Sequence, residues 1–253
     1  MTAILPAELD EDATAKPLNA AFSCLDAIER LRLLRDRVHG TFVFTTSFGL
    51  EDQVLTHIIA ETGIGARFAT LDTGRLFPQT YDVWAQTEAR YGIRVTPFYP
   101  QAGAVENLVA QHGIDGFYRS KQARLDCCAV RKVAPLGRAL AGASVWITGL
   151  RADQSAIRGS VPFVAPDAAR GLLKANPLLD WTRERAAAFA AEHDVPINPL
   201  HAQGFLSIGC APCTRAVQPG EPERAGRWWW EQESAKECGL HLTPDGRLVR
   251  AGA

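Results

Sequence analysis

Four of the six cysteines in this 253-residue chain fall into two tight pairs. Cys127 and Cys128 are adjacent in RLDCCAVRKV, and Cys210 and Cys213 form a CxxC in GCAPCTR. Neighbouring cysteines do not readily bond to each other. Their Cα atoms lie about 3.8 Å apart across a trans peptide, whereas a relaxed disulfide wants roughly 5.5–6 Å. Each thiol therefore has its partner elsewhere in the chain, and the options are a zinc ion, an iron–sulfur cluster, a redox disulfide or plain burial. Zinc usually takes CxxC from both arms, because a turn between ligands lets both thiolates face one metal; adjacent cysteines make that geometry awkward. A cubane offers a separate iron to each thiolate, and thiolates are its usual ligands. Spacing thus favours the cluster over zinc and leaves the other options open. Lys132 and Arg131, a turn beyond the pair, can offset a cluster's negative charge.

The other two cysteines read differently. Cys24 falls on the apolar side of a helical pattern and is expected to be a buried hydrophobe. Cys238 sits in KECGLH, with Lys236 and His241 close enough in sequence to lower its pKa. Gly239 loosens the turn. A cysteine on a movable tail can visit an active site, react and present the product to a partner; the plain alternative is an ordinary exposed thiol.

Something must position these groups, and the chain reads as alternating strands and helices. Apolar residues recur every three or four positions from Asn19 to His39, which predicts one amphipathic helix ended by Gly40. TFVFTT (41–46), RFATL (67–71), IRVTPFY (93–99) and SVWIT (144–148) read as buried strands, with short strands near 160–165 and 172–175. Helices are expected over 53–62, from Pro78 to Tyr91, near 103–111, over AVRKVAPLGRAL with a kink at Pro135, and after Thr182 as a cap. The stretch before the paired cysteines reads as a polar loop. This alternation predicts an α/β domain with a mainly parallel sheet, whose ligands bind beyond the carboxyl ends of the strands. Three polar loops leave strand ends: TTSFGLED, LDTGRLF and TGLRADQS. They are expected to share one rim.

Each loop offers groups suited to an anionic nucleotide. In SFGLED, Gly49 permits a tight turn, Ser47 supplies a hydroxyl, and the following helix directs free N–H groups at the rim. Asp72 can accept a ribose hydroxyl or cap a helix. Arg151 and Arg158 can clamp an oxyanion, or simply be solvated. The loop is neither a Walker loop nor a GxGxxG fingerprint.

Composition bounds the rest. A formal net charge of −1 leaves no footprint for bulk nucleic-acid binding. The opening MTAILPAELDEDATAK has neither the basic nor the apolar region of an export signal, and no run of about 18 apolar residues predicts a membrane helix. A reducing, cytoplasmic setting is expected, where cysteine clusters are more often metal-binding or catalytic than disulfide-forming. The expected division is a mobile segment 1–17, a single domain over 18–230 and a mobile tail over 231–253.

These motifs together resemble the assimilatory sulfonucleotide reductases, specifically the adenosine 5′-phosphosulfate reductases. SFGLEDQVL, LDTGRLFPQTY, CCAVRKVAPL, TGLRADQS, GCAPCTR, GRWWWE and KECGLH occur in that family's order. The loop SFGLED is similar to the family's version of the PP-loop but departs from SGGxDS, which suggests that ATP is not cleaved. The resemblance implies an α/β, PP-loop (adenine nucleotide alpha hydrolase-like) parallel twisted sheet with flanking helices. It implies a [4Fe–4S] cluster on Cys127, Cys128, Cys210 and Cys213, and Cys238 as nucleophile, with His241 beside it. Lys132 is implied to sit between cluster and substrate, and Arg224 and Arg227 to meet the nucleotide's anionic end. Ser47, Phe48, Gly49 and Asp52 match the nucleotide loop; Leu71 and Gly149 are implied to offer backbone contacts. The implied activity converts adenosine 5′-phosphosulfate to sulfite and AMP, in sulfate assimilation and cysteine biosynthesis. Thioredoxin is the implied reductant, with no nucleic acid or membrane as partner and a homo-oligomeric assembly. Relatives acting on the 3′-phosphorylated nucleotide typically lack the cysteine pairs, so that substrate is the alternative. A PP-loop RNA-thiolating enzyme and a zinc-stabilised nucleotide-binding module are the more distant rivals. Trp228, Trp229 and Trp230 are read as packing the base of the tail, with a docking surface as the sharper alternative.

Overall fold

The computed structural model describes residues 14–155 and 158–231. Six strands form one sheet in the order β3-β2-β1-β4-β6-β5: β1 (Phe42–Thr46), β2 (Ala66–Leu71), β3 (Val95–Phe98), β4 (Val145–Ile147), β5 (Val164–Asp167) and β6 (Leu172–Ala175). The first five in that order run parallel, and β5 pairs antiparallel at the edge. The apolar runs in β1 and β4 follow from burial on both faces. Phe42 and Phe44 point into the larger core, while Val43, with Trp146 of β4, points into a second core on the opposite face.

The larger core is covered by α1 (Lys16–Phe22), α2 (Ala27–Arg37), α3 (Leu50–Thr62) and α8 (Arg183–Glu192), the other by α7 (Ala134–Ala139). Helix α4 (Pro78–Tyr91) starts and stops where Pro78 and Gly92 predict, and Gly92 takes a φ of 63° at its end. Helix α5 (Ala102–His112) also lies where expected.

Two expectations fail for local reasons. The single helix over 19–39 breaks, because Asp26 and Glu29 form a reciprocal capping box: each carboxylate accepts the other's backbone N–H, at 2.8 and 2.9 Å. The break puts Cys24 in an exposed turn, not in the core. The supposed loop before the cysteine pair is helix α6 (Lys121–Cys128), capped by the Ser120 hydroxyl, which accepts from Ala123 N–H at 3.1 Å. The chain then widens into a π segment, Ala129–Val133, before α7. Pro135 lacks an N–H to donate back into the helix, so the irregularity expected at Pro135 is taken up just ahead of it. Thr14 and Ala15 are buried, and α1 begins at Lys16. No helix among the described residues is long and apolar enough to cross a membrane.

Candidate active site: two cavities with a common wall

The three polar loops do meet. Beyond the carboxyl ends of the parallel strands lies a cleft enclosing about 1260 Å³, its mouth included. Ser47, Gly49 and Asp52 line it from the β1–α3 turn, Leu71 and Thr73 from the loop after β2, and Gly149, Leu150 and Arg158 from the loop after β4. Lys132, Arg224 and Arg227 complete a cationic side.

The β1–α3 turn is built differently from its sequence reading. Phe48, not Gly49, takes the left-handed conformation, at φ 58°, while Gly49 is extended at φ −75°. The Phe48 ring turns into the core and stacks on Trp84 at 5.5 Å, so its side chain does not line the cleft. That anchor turns Ser47 outward, and the Asp52 carboxylate braces the loop by accepting from Ser47 N–H (2.6 Å) and Ser47 Oγ (2.7 Å). Burial raises Asp52 to about 6, against the opposing pull of these hydrogen bonds. Gly149 is required by close approach: a Cβ there would overlap Asp52 Oδ1 and lie 3.0 Å from Glu51 Cβ.

Two other expected contacts are spent elsewhere. Arg151 is completely buried and does not line the cleft. It donates to Glu51 (2.8 Å), to Glu223 (2.7 Å) and to Asp153. Asp72 accepts from Gly74 N–H and Tyr81 Oη, both at 2.9 Å, and so shapes its own loop. Arg158 does face the cleft, bonded to Gln154.

The four paired cysteines also meet. All are free thiols, and they line a second cavity with Arg75, Phe117, Arg124, Arg131 and Lys132. The segments come together through backbone: Ala211 N–H donates to Arg75 O at 2.8 Å, and Trp228 N–H to Cys213 O at 3.2 Å. Arg131 Nη1 donates to Thr73 O at 2.7 Å, and Arg124 lies over the buried Trp228 ring at 4.5 Å. Trp230 stacks edge-on against Tyr118, and Trp229 is partly exposed. Burial raises the Cys213 thiol to about 12, with Cys210 adding to the effect. At Cys210 burial pulls the same way, but Lys132, the Thr73 hydroxyl and Arg227 together outweigh it and bring the thiol below its ordinary value. Among the described residues, no three His, Cys, Asp or Glu side chains converge as ligands of a single metal ion.

Cys210 and Lys132 line both cavities. Thr73, in the loop after β2, ties them together: its hydroxyl lies 3.2 Å from Cys210 Sγ. Residues 41–216 match the model of the phosphoadenosine phosphosulfate reductase domain. The chain belongs to this family. Within the family it is 51% identical to an adenosine 5′-phosphosulfate reductase of Sinorhizobium fredii, over 91% of this chain and 92% of that one. It is 53% identical to the enzyme of the same name from Allochromatium vinosum, over 79% of this chain and 78% of that one. A solved phosphoadenylyl-sulfate reductase from Candida auris, in a phosphate complex, superposes with a TM-score of 0.70 at 27% identity, covering 85% of this chain and all of that one. The PP-loop-type α/β fold class read from the motifs is therefore the family's own.

Sequence reasoning missed Thr73, Glu51, Glu223 and His201 in the cleft wall. Thr73 and Glu51 sit in motifs that could have flagged them, in LDTGRLF and SFGLED; Glu51 and Glu223 act through Arg151, far away in the chain, and His201 bonds locally to Phe205 O. Cys238 and His241 lie outside the described residues.

Proposed function

We propose that this chain reduces adenosine 5′-phosphosulfate to sulfite and AMP, an oxidoreductase step in sulfate assimilation and cysteine biosynthesis. The observation that carries the reading is the common wall: the open cleft beyond the strands' carboxyl ends and a four-thiol pocket share Cys210 and Lys132. The relatives that are about half identical to this chain are adenosine 5′-phosphosulfate reductases by name, which points to the substrate without a 3′-phosphate.

The four thiols suit a [4Fe–4S] cluster. Soft thiolates are its normal donors, and four cationic side chains line the same pocket to balance an anionic centre. A cluster gives each thiolate its own iron and does not require three donors to meet at one point. When bound, it would tie the CC helix to the CxxC turn and tune the field on the Lys132 side of the cleft.

The chain's residues divide the chemistry. The Cys238 thiolate attacks the sulfur of the sulfate group; a bond forms between Cys238 Sγ and that sulfur, giving S-sulfocysteine, the S–O bond to the nucleotide breaks, and AMP leaves with that oxygen. A thiolate of a dithiol reductant, thioredoxin on this reading, attacks the Cys238 sulfur and expels sulfite. The reductant's second thiol resolves the mixed disulfide and returns the Cys238 thiol. The dithiol loses two electrons, and sulfate-level sulfur gains them. An anionic thiolate approaching an anionic sulfate needs fixed positive charge, which Lys132, Arg158, Arg224 and Arg227 supply on the cleft wall. His241 would hold charge beside the nucleophile.

The test is the intact mass of anaerobically prepared protein after incubation with adenosine 5′-phosphosulfate and no thiol. A sulfo adduct mapped to Cys238 is expected. Its absence from a cluster-replete sample would overturn the assignment.

A further inference from the structure

The segment that carries Arg224 and Arg227 is a short strap with two anchors. At its far end Thr214 bridges Arg227 in antiparallel fashion, Arg215 N–H donates to Gly226 O at 3.0 Å, and Trp228 N–H reaches Cys213 O. That end is fixed to the CxxC turn. A Cβ on Gly209 would collide with the Arg227 guanidinium, so that contact is close. At the near end Glu221 pairs with Arg215 at 2.8 Å, on the CxxC side, and the tether to the opposite cleft wall is Glu223. Its carboxylate takes Arg151 Nη2 at 2.7 Å and lies 3.7 Å from Arg183 Nη1. Arg224, the next residue, lines the cleft between the two anchors.

Arg151 does more than hold Glu223. Its Nε donates to Glu51 at 2.8 Å, in the first turn of α3, and its Nη1 to Asp153 in the loop after β4. One guanidinium thus joins the nucleotide loop, the β4 loop and the strap. Its fork geometry matches this task, because three carboxylates approach three different nitrogens. Completely buried, it is not available to a ligand.

We propose that Arg151 is a positioning residue: by gripping Glu223 it holds the adjoining Arg224 on the cleft wall, and by gripping Glu51 it keys the strap to the nucleotide loop. Arg224's contact with the substrate rests on the reductase reading, and Arg151 acts through it.

The obvious variant, Arg151→Met, leaves buried carboxylates without a partner and can fail to fold. Glu223→Gln cuts the same tether at its other end with nearly unchanged volume. The experiment measures adenosine 5′-phosphosulfate binding by calorimetry in cluster-loaded protein carrying Cys238→Ser, which cannot form the adduct. In that parent, Arg224→Ala is expected to weaken binding about tenfold or more, as for a lost charge-assisted hydrogen bond. With Glu223→Gln also present, the same change is expected to cost several-fold less, because the tether from Arg151 to the residue beside Arg224 is cut. Lys132→Met serves as the control, and its cost should be the same in both backgrounds. Arg151→Lys should reproduce the loss of coupling. An equal cost of Arg224→Ala in both backgrounds, or an equal collapse of the Lys132 effect, would overturn the positioning role. No binding to the parent at all would instead count against the reductase reading.

Discussion

The cleft and the thiol pocket are neighbours built on opposite plans. The cleft rests on the sheet. Its loops start from parallel strands in fixed register, so Ser47, Leu71 and Gly149 reach the same rim through backbone alone. The pocket has no sheet beneath it. Helix α6 with its π segment, and the CxxC turn with the strap, come from two distant stretches of the chain and are joined by a few hydrogen bonds and ring contacts. A site on a sheet tolerates loss of one side chain; a site made of converging side chains depends on each of them and on what they bind.

Cys210→Ser tests this difference most severely. Cys210 is buried and belongs to both cavities. If the four thiols hold the proposed cluster, the variant should lose iron and visible absorption together with reductase activity, yet still bind AMP, because the cleft's other walls remain. Full activity without iron would sink the link between the regions. Loss of AMP binding as well would show that the cleft depends on the pocket for its shape.

Lys132→Met comes next. Lys132 sits on the common wall and helps to draw down the Cys210 thiol, against the effect of burial. Removing a preorganised cation from such a site should lower kcat by about 10²–10³. Iron content should stay near that of the parent. A drop in iron matching the drop in rate would assign Lys132 to the pocket alone.

The same contrast decides how much could be read in advance. Strands announced by apolar runs and helices punctuated by Pro78, Gly63 and Gly92 were legible, and with them the rim. Helix α6 was not, because its buried face is made of Ala123, Arg124 and Cys128, which leave no apolar period. The break at Asp26 was hidden because the apolar spacing runs straight through it, and only the Asp–x–x–Glu box marks the new start. The cysteine pairs were visible as a constellation, but their link to the cleft through Thr73 was not. Arg151 shows the limit most clearly: its partners at 51 and 223 lie on either side of it in the chain, 100 and 72 residues away, so no local spacing separates a buried hub from a ligand clamp.

Asp52 offers a pH-dependent test confined to the cleft. Its carboxyl is raised from 3.8 to about 6 by burial, so the unfolded chain gives up this proton first. Between those values the folded state binds more protons, and stability falls as pH rises. The contribution is fully present below about pH 4, and its loss is complete above about pH 6. The fall amounts to about 3 kcal/mol at most for a shift of this size. Asp52→Asn should flatten that segment when urea unfolding of the variant and the parent is compared across the window. Parallel curves would mean that the carboxylate is better solvated than its enclosure implies. Iron content should not respond, since Asp52 lies in the wall that the pocket does not share.

Gly149→Ala is the finest probe, because it adds one methyl group where two loops of the rim touch. The new Cβ would press on Asp52 Oδ1 and sit 3.2 Å from the Asp52 backbone nitrogen. The carboxylate cannot swing away freely while it holds Ser47 through two hydrogen bonds. Overpacking of this kind costs about 1–3 kcal/mol. Thermal unfolding should register that loss, and AMP should bind more weakly as the loop is displaced. Asp52→Ala removes the atoms that are struck, so in that background Gly149→Ala should cost clearly less, a coupling expected only of residues in contact. Equal costs in both backgrounds would place the strain at Glu51 instead, 3.0 Å from the same methyl, and would make the hub around Arg151 the part of the rim that cannot yield.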